Sequence, residues 1–222
     1  MLSHKRSREE TLWGPITVVN VVATASIGRT LDLMAVASQL MNSEYYPKKF
    51  AALKLCRADP YAKALVFTSG KIVCVGSVSI EFATDSMNWF VEQIQSTIPD
   101  DPLEATTPIV QNIVGTSKLY DGEKQINLLK VLRKAPKNIQ YEPVSNTIPP
   151  ARPSCSFSPE IVYWDSLQEL FPGLSYRPDM GKQPVMNVFA SGKCTLAGSK
   201  SYEDVIRLFT SFRRATGEEI CW

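Results

Sequence analysis

The chain has 222 residues, 44% hydrophobic and 21% charged, an ordinary globular composition for one or two domains that excludes a disordered or low-complexity protein. Its formal net charge of +2 is far below that of a protein held to nucleic acid mainly by phosphate contacts, so charge alone suggests no such partner. No run approaches the ~18 apolar residues of a membrane span and no apolar signal peptide precedes the fold, which predicts a chain with no membrane partner.

Residues 1–14 read as a disordered polar tail carrying Lys5, Arg6 and Arg8. A strand is predicted over Ile16–Ala25. Asp32 then caps a helix whose apolar positions, Leu33, Val36, Ala37, Leu40 and Met41, recur at spacings of three and four, with Pro47 as its stop. Strands follow around Phe50–Leu55, Ala64–Thr68 and Lys71–Gly76, and a longer helix buries Ala83, Met87, Phe90, Val91 and Ile94. The order β-α-β-β-β-α closes at Pro99-Asp100-Asp101-Pro102, a linker.

The second half repeats this order. A strand over Ile109–Thr116 leads to a helix carrying Ile126, Leu128, Leu129 and Leu132, and the closing helix shows Val205, Ile206, Phe209 and Phe212. Between them lies an insertion of about 30 residues, measured by the separation of Asn20 from Phe50 against that of Asn112 from Phe171. Its centre, Ser145 to Ser154, is rich in Pro and Ser and predicts no regular structure.

The duplication is also written in the residues. Val66-Phe67-Thr68-Ser69-Gly70-Lys71, with Gly76-Ser77 beyond, returns as Val188-Phe189-Ala190-Ser191-Gly192-Lys193, with Gly198-Ser199. Each is an apolar run broken by a tight turn, hence a hairpin. Val19-Asn20-Val21-Val22 matches Gln111-Asn112-Ile113-Val114, and Lys49-Phe50 loosely matches Leu170-Phe171-Pro172-Gly173. Strands and helices in each half predict an α+β fold, an antiparallel sheet with helices on one face. The other face must be solvated or used.

Alternation assigns the faces. Asn20 and Val22, Leu65 and Phe67, and Val73 and Val75 point one way in the first half. Asn112 and Val114, Asn187 and Phe189, and Thr195 and Ala197 do so in the second. Taken alone, the apolar ones among them are equally core positions under the helices. Asn20 and Asn112 argue against that, because a buried amide needs several hydrogen-bond partners.

With Asn, then Phe, then Phe-x-Ser-Gly-Lys in the same order twice, the chain resembles the TATA-box-binding protein family over roughly residues 15 to 217. Asn42 to Ala52 and Glu169 to Leu174 also look like that family's signatures. The resemblance implies two pseudo-symmetric repeats, 15–101 and 107–222 with the insertion at about 138–165, forming a saddle whose concave sheet lies along the minor groove of promoter DNA. It makes Phe50, Phe67, Phe171 and Phe189 wedges between base steps. The family is itself the standing example of such a kink, of about 80° at a few kcal/mol per unstacked step. Asn20, Val22, Asn112, Val114, Leu65, Val73 and Val75 become minor-groove contacts, where A·T pairs offer only acceptors and an NH2 donor fits. Lys49, Ser69, Lys71, Arg177, Ser191 and Lys193 become phosphate contacts. Glu169 and Leu170 become the docking point for a transcription factor B-like partner, beside a factor A-like partner and the RNA polymerase machinery.

Departures from the family's pattern accompany these matches. Val75 and Ala197 stand where threonines help read the central step, Asn187 replaces an apolar residue, and Cys56 replaces a phosphate-binding arginine. The first-repeat helix carries Glu81, Asp85 and Glu92 and no Lys or Arg, where the family's is basic. These favour a second function, a related paralogue or interaction scaffold with weak or non-selective DNA binding. No catalytic constellation is present and no cofactor is implied; the single histidine, His4, lies in the tail. The five cysteines, Cys56, Cys74, Cys155, Cys194 and Cys221, lack C-x-x-C spacing and read as reduced thiols of an intracellular protein. The large one-sided insertion points to a eukaryotic chain and hence to the nucleus.

Overall fold

A computed structural model describes residues 14–119, 126–134, 138–141, 173–178 and 184–217. The chain divides into two compact units. Among the described residues the N-terminal unit spans 19–113, and the C-terminal unit holds 14–18 and the described residues from 114 onward.

In the N-terminal unit, β1 (Thr17–Ser26, its first two residues outside the unit) is followed by α1 (Leu33–Gln39), β2 (Ser43–Glu44), β3 (Leu53–Arg57), β4 (Ala62–Val66), β5 (Lys71–Ser77) and α2 (Ile80–Ser96). The strands run in the order β2-β3-β4-β5-β1, every pair antiparallel. Val21, Ala23, Leu53, Leu55, Ala62, Ala64, Val66, Ile72 and Cys74 are buried on one side of the sheet. α2 packs against β4 and β5 and brings Ala83, Met87, Phe90 and Ile94 to that core. Its start is capped by Ser79, whose hydroxyl accepts from the Phe82 amide at 3.0 Å.

In the C-terminal unit, β6 (Ile109–Lys118, from Val114 onward), α3 (Leu128–Lys134), β7 (Ile139–Tyr141), β8 (Gly173–Tyr176), β9 (Val185–Phe189), β10 (Lys193–Ser199) and α4 (Tyr202–Thr216) give the order β6-β10-β9-β8-β7. Here Leu174, Tyr176, Met186, Val188, Cys194 and Leu196 are buried, under α4 on β9 and β10 and α3 on β7 and β8. The Tyr176 ring meets Phe212 edge-on at 5.2 Å, and its hydroxyl lies 2.7 Å from Ser211 Oγ. Both buried thiols are core residues, as their strand positions predict. Burial pushes the Cys74 thiol up to about 11, and the Cys194 thiol, which donates to the Ser117 carbonyl, up to about 12.

Several element boundaries differ from the sequence expectation. α1 ends at Gln39, not at Pro47, because Ser43 Oγ lies 3.0 Å from the Ala37 carbonyl and 2.7 Å from the Leu40 carbonyl and Leu40 is already extended. Met41 is consequently fully exposed at 100% and outside the helix. The strand expected from Phe50 begins at Leu53, since the Lys49 and Phe50 amides both donate to the Tyr46 carbonyl and close a turn there. The next strand runs Ala62–Val66, two residues early, because the hairpin turn already begins at Phe67. The two-residue β2 is an addition to the expected order. Leu129 and Ile206 face outward, and Leu208, absent from the expected core, is buried. The proposed tail, apart from Gly14, and nearly all of the insertion lie outside the described residues.

Candidate nucleic-acid interface

The side of each sheet turned away from the helices carries half-buried residues. In the N-terminal unit Asn20, Val22, Leu65, Phe67, Val73 and Val75 occupy it, alternating with the buried set along β1, β4 and β5. In the C-terminal unit the same is true of Val114, Asn187, Phe189, Thr195 and Ala197, and Asn112 is half-buried at its place on β6. Alternation therefore assigned every one of these faces correctly. Cross-strand pairing orders them into rows: Lys54–Leu65–Val73 and Cys56–Lys63–Val75 in the N-terminal unit, Ser175–Asn187–Thr195 in the C-terminal unit.

Both hairpins have one geometry. The Gly70 amide donates to the Phe67 carbonyl and the Gly192 amide to the Phe189 carbonyl, each at 2.9 Å. Gly70 and Gly192 follow at φ 80 and φ 79, the left-handed residue that ends a three-residue hairpin loop. A Cβ on Gly70 would lie 2.1 Å from the Arg29 carbonyl oxygen, so no other residue fits. The turns hold Phe67 and Phe189 at the strand ends, with Ser69, Lys71, Ser191 and Lys193 exposed beside them.

The partner positions are set differently. Leu53 pairs with Val66, which puts Phe50, at the close of the Tyr46 turn, at the same end of the β3–β4 pair as Phe67. Phe50 is half-buried and Lys49 is exposed, its Nζ 5.8 Å from the Tyr46 ring centre. In the C-terminal unit Gly173 pairs with Phe189, and a Cβ there would lie 3.2 Å from Phe189 Cε1, so the phenyl ring rests on bare backbone. Phe171, Glu169 and Leu170 lie outside the described residues. Arg177 is half-buried at the end of β8, where its amide donates to the Asn138 carbonyl at 2.9 Å.

Asn20 has a structural partner that spacing did not reveal. Between Ala23 and Val21 β1 takes two steps, while β5 takes three, from Cys74 to Ser77. The extra residue bulges at Gly76, φ 93, and its amide leaves the ladder. Asn20 Oδ1 accepts from that amide at 2.8 Å. A backbone N–H can pair only with the carbonyl end of the side chain, so this bond fixes the amide's orientation and turns its NH2 away from Gly76.

Two charged residues change the electrostatics. Lys63, two positions before Leu65, lies half-buried on the uncovered face beside Cys56, with its Nζ 5.7 Å from the Tyr61 ring centre. The i, i+2 spacing from Lys63 to Leu65 and Phe67 was the available signal for it. On the helix side, Arg57 pairs with Asp85 at 2.6 Å and stacks over Phe82 and Trp89 at 5.8 and 5.6 Å. The acidity of α2 is thus partly neutralised from β3.

Comparison with known proteins agrees with this architecture. A family model described as transcription factor TFIID (or TATA-binding protein, TBP) matches residues 15–97 and 164–215, more than half of the chain. The TATA-box-binding protein of Archaeoglobus fulgidus is 34% identical over 189 residues, 85% of this chain and 87% of that protein. That of Acetabularia peniculus is 34% identical over 190 residues, 86% of this chain and 83% of that protein. The solved structure of Methanococcus jannaschii TBP superposes with a TM-score of 0.63 at 28% identity, covering 90% of this chain and 97% of that one. With two hairpins of one geometry, a face in each unit that no described helix covers, and these matches, the chain belongs to the TATA-binding protein family.

Proposed function

We propose that this chain is a transcription initiation factor that binds TATA-type promoter DNA through the uncovered sheet faces, in the minor groove, and starts assembly of an initiation complex there. It is a binding protein and not an enzyme. The observation that carries the reading is the pair of half-buried faces, apolar at Val22, Leu65, Val73, Val75, Val114 and Ala197, each ending in a hairpin phenylalanine. A face of this kind is costly to leave in water, and a flat groove wall rich in sugar and base-edge carbon covers it.

In this reading Phe50, Phe67, Phe171 and Phe189 enter base steps, where a phenyl ring replaces a lost stacking contact without needing a hydrogen bond. The outward NH2 of Asn20 donates to an adenine N3 or thymine O2, and Asn112 does the same in the second repeat. Val22, Val114, Leu65, Val73 and Val75 exclude water from the A·T edges. Lys49, Ser69, Lys71, Arg177, Ser191 and Lys193 hold phosphates and set register. Glu169 and Leu170 receive a factor B-like partner, and a factor A-like partner and the polymerase machinery follow. In a eukaryotic cell the place of action is the nucleus.

The test is energy transfer between dyes at the ends of a short duplex, with a TATAAA-type site against a G·C-rich scramble. Saturable shortening on the TATA site alone is the expected result. Equal shortening on both means that Val75 and Ala197 leave bending without selectivity. Absence of shortening on either, with the protein folded, overturns the reading in favour of a paralogue or scaffold that works through protein contacts.

A further inference from the structure

The two uncovered faces are built on the same ladder but differ at one row. Aligning the hairpins places Leu65 with Asn187, Val73 with Thr195 and Lys54 with Ser175. The N-terminal row is therefore apolar at its two inner strands, and the C-terminal row is polar across all three. That polar row is organised: Ser175 Oγ donates to Asn187 Oδ1 at 2.8 Å, between residues directly opposite each other on β8 and β9. All three side chains are half-buried on the uncovered side.

Hydrogen-bond capacity decides what such a row accepts. Asn187 Oδ1 keeps one lone pair after the Ser175 bond, Ser175 Oγ keeps its own, and Thr195 contributes a hydroxyl. The Asn187 NH2 remains a donor. The row thus offers acceptors and donors together, whereas Leu65 and Val73 offer neither. In the minor groove A·T pairs present acceptors only, and a G·C pair adds the guanine N2 amino donor. Pressed against Leu65 and Val73, that amino group loses water and gains nothing. Against the C-terminal row it meets an acceptor.

We infer that Asn187, held by Ser175, makes the C-terminal half of the DNA site tolerant of a guanine, while the N-terminal half requires A·T. This rests on the minor-groove reading above. The recognised ligand is an asymmetric promoter element, with A·T pairs under one half and a G·C pair admitted under the other.

The experiment walks one G·C pair through an eight-base-pair A·T core and measures affinity by anisotropy and bending by energy transfer. A second series replaces guanine by inosine, which lacks the N2 amino group. The expected wild-type result is a loss of less than about threefold at one or two positions in a single half, against about tenfold or more elsewhere. At the tolerated position guanine binds as well as inosine. In Asn187→Leu guanine there binds at least about tenfold worse than inosine, a ratio read within one variant whatever its affinity for the all-A·T core. Grafting the pair through Lys54→Ser with Leu65→Asn creates tolerance at the mirrored positions, a gain that misfolding cannot imitate. Tolerance that is symmetric, absent, or unmoved by Asn187→Leu overturns the inference while leaving the all-A·T binding intact. No binding or bending on any duplex removes the minor-groove reading, and this inference with it.

Discussion

The N-terminal and C-terminal units use one backbone device and two surface chemistries. Each has a hairpin ended by a left-handed glycine, Gly70 or Gly192, and a second positive-φ glycine later in the returning strand, Gly76 or Gly198. Only glycine adopts these conformations freely, so the duplicated scaffold is pinned by residues whose replacement breaks the turn. The side chains between the pins are not pinned. Leu65, Val73 and Lys63 in one unit stand where Asn187, Thr195 and Val185 stand in the other. Backbone geometry constrains where a face lies, while the chemistry on that face is free to diverge with what it touches.

The hardest test of that equivalence removes the hairpin phenylalanines. Phe67→Ala with Phe189→Ala deletes one ring per unit, and each aromatic stacking contact with a base is worth about 1–3 kcal/mol. We expect TATA-site affinity to fall on the order of a hundredfold or more and end-to-end shortening to disappear. Melting temperature should barely move, because both rings are only half-buried. Single variants then compare the units: equal losses mean equivalent wedges, and an unmoved Phe189→Ala means only one end of the site is opened.

Gly70→Ala attacks the scaffold instead. The methyl would sit 2.1 Å from the Arg29 carbonyl at φ 80, so the turn must shift, at a cost of at least about 2 kcal/mol. For a chain of this size that lowers the melting temperature by roughly 4–8 °C. A thermal scan that shows no change would mean the hairpin tolerates rearrangement.

Much of this was legible in the chain. The hairpins, the face assignments and the burial of Cys74 and Cys194 follow from period-two alternation and turn residues, which are local signals. The start of β3 was not legible, because the Tyr46 turn that releases Phe50 from the strand is closed by backbone bonds that leave no residue signature. Nor was the end of α1, where Leu40 and Met41 keep the helical period while Ser43 bonds to the carbonyls that would continue it. Lys63 was hidden by its charge: a lysine in a strand reads as solvent-facing, yet its place in the ladder puts it among the half-buried set. Asn20 was read correctly as a face residue, but its bond to Gly76 joins residues 56 apart and depends on a bulge.

That bond separates two roles. Asn20→Ala strands the Gly76 amide half-buried, which costs about 1–3 kcal/mol. Asn20→Asp keeps an oxygen for that amide but replaces the NH2 donor with a negatively charged acceptor. Stability retained in Asn20→Asp with TATA affinity lost at least about tenfold marks a residue that both caps the bulge and reads the groove. If Asn20→Asp bound as tightly as the native chain, the role would be the cap alone.

The smallest expected effect sharpens the comparison of charge. The C-terminal unit carries Arg177 just past the end of β8, whereas the matching place on β3 is Cys56 and the cation sits one strand inward, at Lys63. In the proposed reading a guanidinium on an outer strand would reach a phosphate from the groove's edge. An ammonium one strand further in would reach it from the groove's wall, closer to base edges, where A·T pairs concentrate negative potential. Lys63→Met keeps the apolar stem and removes the charge, so the fold should be unaffected. If Lys63 supplies the neutralisation that Cys56 lacks, the slope of log affinity against log salt falls by about one, with a several-fold loss at low salt. Restoring the outer cation with Cys56→Arg in the Lys63→Met background should return the slope to its native value. A native slope in Lys63→Met itself would show that the N-terminal unit holds its DNA with one phosphate contact fewer than its partner repeat.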